Sequence, residues 1–306
     1  MNLAERFQLQ NESPAELKQA RDEEFTREIE DHKRRVDRAR RALRFLKGAG
    51  ETPLDFLAIG DSWYKYPLDG QLLLPPYDFG IVAKSQLQSM GNPNPIILNQ
   101  AWPGQASTAV LSRTNQETII TLLENGSNWM NGTGPDGILI SAGGDDIVGE
   151  QFAIYIEYGG AGLSGRFQGV LDLVQASYED LFDLRDKFAS GVPIIGHCYD
   201  YAIPSGVPAA GILGPWLRPS LDFALYNAPA RTKAIHDMIE GFYGMLNGLT
   251  SKAKNNFHLV DTRKTIAPNK NYPDGWANEI HPYTPGFTAL AKKYLAVLQN
   301  LFPGRI

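Results

Sequence analysis

Two side chains far apart in the sequence have the types needed for nucleophilic chemistry. Ser62 lies in Gly60-Asp61-Ser62-Trp63, directly after the apolar run from Leu54 to Ile59. His281 lies in Asn278-Glu279-Ile280-His281-Pro282, just before the last helix-sized segment. A serine hydroxyl is inert until a base takes its proton, so it needs a histidine or a similar group within reach. The chain offers five histidines: His32, His197, His236, His258 and His281. His32 and His236 fall in helical patterns and are expected to face solvent. His258 sits inside a strand-like run. His197 follows another such run and is expected to pack. His281 is followed by Thr284-Pro285, which reads as a helix N-cap and first helical residue and so fixes its loop. Glycines close other apolar runs, at Gly104 and at Gly143-Gly144, where backbone N–H groups can approach a substrate closely.

The elements that must position these residues are legible as apolar runs. They are Leu54 to Ile59, Pro95 to Asn99, Gly137 to Ser141, Val192 to Gly196 and Phe257 to Asp261. Short runs of this kind, separated by helix-sized segments, indicate parallel strands buried on both faces. The segments 168–190, 227–249 and 285–302 read as helices. The expected class is α/β, with helices on both sides of a mostly parallel sheet of about five strands. In such sheets ligands sit beyond the carboxyl ends of the strands, which is where Ser62, Gly104 and Asp145 fall.

The ordered set Gly60-Asp61-Ser62-Trp63, Asn99-Gln100-Ala101-Trp102-Pro103-Gly104, Gly143-Gly144-Asp145-Asp146 and Asn278-Glu279-Ile280-His281-Pro282, within residues 54–302, resembles the four motifs of the SGNH (GDSL) hydrolase superfamily. The resemblance implies a flavodoxin-like three-layer α/β/α sandwich and a serine esterase mechanism through an acyl-serine intermediate, without a cofactor or metal. It makes Ser62 the nucleophile, His281 the base and Gly104 an oxyanion donor alongside the Ser62 N–H. Asp61 is read as a structural residue of the turn.

Two positions depart from the family pattern. Where the family has an aspartate three residues before the histidine, this chain has Asn278. An asparagine oxygen can hold the imidazole but cannot stabilise its charge; in a serine protease the same exchange lowers turnover by about 10⁴. Either Ser62 and His281 act as a pair oriented by Asn278 or a backbone carbonyl, or another carboxylate substitutes. Asp274 is preferred over Glu279 for that role. The second departure is Asp145, where the family has an asparagine that donates to the oxyanion. An ionised carboxylate only accepts, so Asp145 must be protonated, bind a cation with Asp146, or face away. Two long Gly/Pro-rich stretches, 149–169 and 200–219, are expected to border the site. Trp63, Tyr64, Trp102, Tyr199, Tyr201 and Trp216 are candidates for lining an acyl or sugar pocket. A non-catalytic carbohydrate- or partner-binding protein on the same fold is the alternative.

Composition narrows the remaining possibilities. The 306 residues carry a formal net charge of -5, which gives no overall attraction to nucleic acid. The single cysteine, Cys198, excludes an internal disulfide and a cysteine-based zinc cage. No apolar run reaches the ~18 residues of a membrane span. The first residues lack the apolar core of a secretory signal, so a cytoplasmic location is expected, with signal-independent export left open.

Residues 1–50 hold 12 Lys+Arg and 10 Asp+Glu, against 17 and 24 in the other 256. This divides the chain into a charged arm, 1–50, and a catalytic body, 51–306. In the arm, Ser13-Pro14-Ala15-Glu16 reads as a capping box opening a helix that runs to about Lys47 and stops at Gly48. Phe25, Ile29, His32, Val36, Ala39, Leu43 and Leu46 recur at heptad spacing. The helix is expected to lie on the body. Self-association or a protein partner is the second reading, since the seam is thin and interrupted; nucleic-acid contact through Lys33-Arg34-Arg35 and Arg40-Arg41 is weaker still, because acids are interleaved.

Overall fold

A computed structural model describes residues 14–45, 51–68, 78–211, 213–268 and 275–306. The arm is the helix α1 (Pro14–Phe45). The body then alternates β1 (Asp55–Gly60), β2 (Ile96–Asn99), α2 (Ser107–Val110), α3 (Arg113–Glu124), β3 (Gly137–Ser141), α4 (Gly144–Ile147), α5 (Arg166–Phe188), β4 (Ile194–His197), α6 (Arg218–Phe223), α7 (Ala228–Thr250), β5 (Phe257–Val260) and α8 (Thr284–Leu301). The sequence-derived runs fall on these elements within two residues. The cap expected at Thr284 falls one residue earlier, on Tyr283, and makes no side-chain capping bond. Ser13 and Gly48, read as start and stop of α1, lie outside the described residues.

All five strands are parallel, in the order β2-β1-β3-β4-β5. Strands β1 to β4 are buried along their whole length, so both faces of the sheet are covered, and only the edge strand β5 is partly open. This is the flavodoxin-like α/β arrangement that the resemblance implies, and its strand order reverses between β1 and β3. Helices α3, α5 and α7 form one layer; α8 packs on β5 and α1 on β2.

Helix α1 is joined to the body by its polar side chains as much as by its apolar ones. Ala20 and Val36 are buried. His32 is buried too, contrary to the solvent-facing position expected: its Nε2 lies 2.7 Å from Asp55 Oδ1, at the start of β1. Lys65, just past the Ser62 turn, is buried and donates to Glu24 (2.7 Å) and Glu28 (3.1 Å) of α1. Arg35 donates to the Ile97 carbonyl of β2 at 2.7 Å. Phe25 meets Trp102 edge to face at 6.5 Å. The heptad seam from Phe25 to Leu43 therefore faces the body, and the self-association reading loses the surface it needed. Of the basic runs, Lys33, Arg34 and Arg41 are exposed, while Arg35 and Arg40 bind backbone carbonyls of the body.

Candidate active site

β1 ends on Gly60, and this glycine is needed. Its φ is +143°, and a Cβ there would lie 2.1 Å from the Ser141 carbonyl oxygen on neighbouring β3. The chain then turns sharply: the Asp61 N–H donates to that same oxygen at 3.0 Å. Asp61 is buried and stays structural, accepting from Ser141 Oγ (2.5 Å), the Trp63 N–H (2.9 Å) and the Tyr199 hydroxyl. Burial pushes its carboxyl up to about 6. This clamp holds Ser62 at the top of the sheet.

The loop before α8 brings His281 to the serine. His281 Nε2 lies 2.7 Å from Ser62 Oγ, across 219 positions of sequence. On the other side of the ring, Nδ1 lies 3.2 Å from Asn278 Oδ1. The same oxygen accepts the N–H groups of Ile280 (3.1 Å) and His281 (3.0 Å), which identifies it as the oxygen. Asn278 Nδ2 donates to the Tyr66 hydroxyl at 2.9 Å. With Nδ1–H donating to Asn278, Nε2 is left as the acceptor for the serine proton. Burial lowers the imidazole pKa to about 3, so His281 is neutral in the resting site.

Of the alternatives for orienting His281, the Asn278 contact is the one found. Asp274 lies outside the described residues. The carboxyl of Glu279 turns away to accept four backbone N–H groups, from Gly206 (2.9 Å), Trp216, Leu217 (2.6 Å) and Arg218 (2.9 Å). It thereby ties the 200–219 stretch to the histidine loop. A further tie runs from the Trp63 indole N–H to the Ile280 carbonyl at 3.1 Å, joining the nucleophile turn to the base loop.

Asp145 follows Gly143 and Gly144 on the first turn of α4 and lines a cleft with Ser62, Trp63, Tyr199, Ile147, Val148, Met238, Ile239 and Ile280. The cleft encloses about 420 Å³, its open mouth included. Among the described residues no group hydrogen-bonds the Asp145 carboxyl, and its pKa stands well above the usual range, first through burial and then through the charges of Asp61 and Asp146. Asp146 points elsewhere: it accepts from the Ser107 N–H (2.7 Å) and Oγ (2.9 Å), pinning α2 to α4. Among the described residues no group of three or more His, Cys, Asp or Glu is placed to hold a metal. Gly104 sits at an exposed turn after β2 with φ +77°, outside the walls of this cleft. Neither the Ser62 N–H nor the Gly104 N–H has a protein acceptor among the described residues.

The other histidines do not converge here. His197 is fully buried, hydrogen-bonds Ser141 Oγ at 2.9 Å and stacks on Trp63, so it packs beneath the turn. His258 pairs with Asn256 and His236 stacks on Tyr201 at an exposed position. Of the six aromatic candidates, Trp63 and Tyr199 wall the cleft and Trp216 approaches His281 at 5.7 Å. Tyr64 is core, bonded to Tyr294; Trp102 meets α1; Tyr201 lines a neighbouring cavity. Tyr66 was missed. Its ring lies flat on His281, centroids 4.0 Å apart at 17°, and nothing in its local sequence distinguishes it from the tyrosine two positions before. Tyr199, expected to line a pocket, does more: held at φ +64°, it bonds Asp61 and accepts the Gly144 N–H at 2.9 Å. Backbone strain of this kind persists where surrounding contacts over-determine it.

No family model matches this sequence, and no curated protein matches it. Among solved structures, the chain is similar to the lipase Lip_vut3 from a goat rumen metagenome, at 17% identity over 79% of this chain and 96% of that one, with a TM-score of 0.49. It is similar to an extracellular lipase from Streptomyces rimosus, at 17% identity over 81% and 99%, TM-score 0.47. It is also similar to a carbohydrate acetylesterase from Sinorhizobium meliloti, at 10% identity over 81% and 100%, TM-score 0.48. At such distances function has to be read from this chain's own side chains.

Proposed function

We propose that this chain is a serine hydrolase of carboxylic esters, of the SGNH (GDSL) type, working through an acyl-serine. The observation that carries the reading is the 2.7 Å contact between Ser62 Oγ and a neutral His281 Nε2, with the imidazole tautomer set by Asn278. Ser62 Oγ attacks the ester carbonyl carbon while His281 takes its proton. The Ser62 N–H, which has no protein acceptor among the described residues, meets the oxyanion. His281 then gives the proton to the departing alcohol. A water molecule, deprotonated by the same imidazole, attacks the acyl carbon and releases Ser62.

Asp145 is assigned to the oxyanion side. A carboxylate would oppose the developing negative charge, whereas a carboxylic acid donates a hydrogen bond to it. The raised pKa of Asp145 and the lack of any other described partner for its carboxyl support the protonated form. The aliphatic side chains of Ile147, Val148, Met238 and Ile239 in the cleft favour a short acyl group there.

The test is a fluorophosphonate probe. It should attach to Ser62, and His281→Ala should abolish the labelling. Stoichiometric attachment to another serine, or an unlabelled protein without turnover on p-nitrophenyl acetate, would turn the reading toward a non-catalytic binding protein on this fold.

A further inference from the structure

The proposed reaction makes His281 an imidazolium in a site that burial has made hostile to charge. Among the described residues, the groups around the ring offer little anionic help. Asn278 is neutral, and its oxygen is shared among three N–H donors, of which the one from His281 Nδ1 is the longest at 3.2 Å. The Glu279 carboxyl faces the backbone of 206–218. The Asp61 carboxyl is held beneath the turn by Ser141, Trp63 and Tyr199. Asp145 stands across the cleft. What lies against the imidazole itself is Tyr66, buried and parallel to it at 4.0 Å, and the ring of Trp216 at 5.7 Å and 82°.

Resting on the serine hydrolase reading, we propose that Tyr66 takes the part of the carboxylate that no described residue supplies to His281: its ring face supports the imidazolium, and its hydroxyl secures the amide that orients it. The face of an aromatic ring carries negative charge density and attracts a cation, more strongly where water is excluded. The hydroxyl accepts Asn278 Nδ2 at 2.9 Å, so one residue holds the orienting amide and covers the ring being oriented. Phe287 of α8 packs on Tyr66 at 6.0 Å and keeps it in place. Tyr66 is thus a positioning residue that also acts electrostatically. It is not among the residues that line the cleft.

A double-mutant cycle with Asn278→Asp separates this role from simple packing. In the parent chain, Tyr66→Leu should lower kcat on p-nitrophenyl acetate by about 10- to 30-fold, the size of a desolvated cation–π contact, with KM moving less than about threefold. In an Asn278→Asp background, where a carboxylate carries the imidazolium, the same change should lower kcat by less than about threefold. Tyr66→Phe keeps the ring face and should lose only about two- to threefold. If Tyr66→Leu does not fold, Tyr66→Phe with its ring pentafluorinated keeps the shape and reverses the charge of the face; it should be about tenfold slower than Tyr66→Phe. Equal losses from Tyr66→Leu in the two backgrounds, or a fluorinated ring as active as the plain one, would overturn the assignment to Tyr66 while leaving Ser62 and His281 in place. Absence of turnover in the parent chain would sink the hydrolase reading and this one with it.

Discussion

Two buried histidines in this protein are wired in opposite ways. His32, on α1, pairs with a carboxylate, Asp55, at 2.7 Å, and among the described residues no serine or other group hydrogen-bonds its Nδ1. His281 has the nucleophile and pairs with an amide at 3.2 Å. The histidine–carboxylate couple that chemistry usually calls for is placed where it fastens a helix to the sheet. The couple at the strand ends is neutral. A His–Asp contact is therefore no mark of catalysis by itself. What distinguishes His281 is a serine held at the end of β1 by a tight turn, with its own N–H lacking an acceptor among the described residues.

The largest effect should come from breaking the catalytic half. Ser62→Ala should reduce turnover by about 10⁴-fold or more, and adding His281→Ala should do little further, because the two act as a unit. Neither change should alter the thermal midpoint by more than a few degrees. A comparable loss of turnover from His32→Gln in folded protein would erase the contrast between the two histidines.

Breaking the structural half should read out as stability. Asp55→Ala leaves His32 and the Met130 N–H, which donates to Asp55 Oδ2 at 2.9 Å, buried without their partner. A loss of about 3 kcal/mol in denaturant unfolding is expected, within the range for buried polar groups stripped of partners. Turnover per folded molecule should be nearly unchanged. Stability within about 0.5 kcal/mol of the parent would show that α1 is held without this contact.

Making the two histidines alike is the third test. Asn278→Asp puts a carboxylate on His281 Nδ1 and favours the imidazolium, so the imidazole pKa must rise from about 3. The base works only when neutral. The acid limb of kcat/KM should therefore move to higher pH, while kcat on the plateau rises about 3- to 30-fold because the charged intermediate is stabilised. An acid limb that stays put, or moves down, would show that residue 278 does not address the ring.

The smallest effect concerns Asp145. Asp145→Asn supplies a donor that needs no proton, so activity near neutral pH should be equal or up to about threefold higher. As pH rises and ionises the Asp145 carboxyl, the parent should fall behind the variant, since only the protonated acid donates. Turnover against pH for the two proteins side by side decides this; parallel profiles would take Asp145 out of the oxyanion site.

Much of the scaffold was readable because its causes are local. Apolar runs of four to six residues mark parallel strands buried on both faces, and in such a sheet the residues just past each run stand at one edge. That reasoning placed Ser62 and Asp145 where they are found. The arm was readable as a helix for the same reason. What it packs against was not: an amphipathic seam looks the same whether it meets a second chain or its own sheet. His32 was placed in solvent because its carboxylate partner lies in another element, and only β1 brings Asp55 beneath it.

Sequence by itself determined which chemistry was on offer: a serine and a histidine, each at the end of a well-marked element, and an asparagine where a carboxylate was expected. Tertiary structure decided which groups meet. The 2.7 Å approach of two side chains 219 positions apart, the turning of Glu279 toward backbone N–H groups, and the laying of Tyr66 on His281 all depend on relative positions of loops. Those positions follow from how the sheet and helices pack around one core, and no local pattern of residues encodes them.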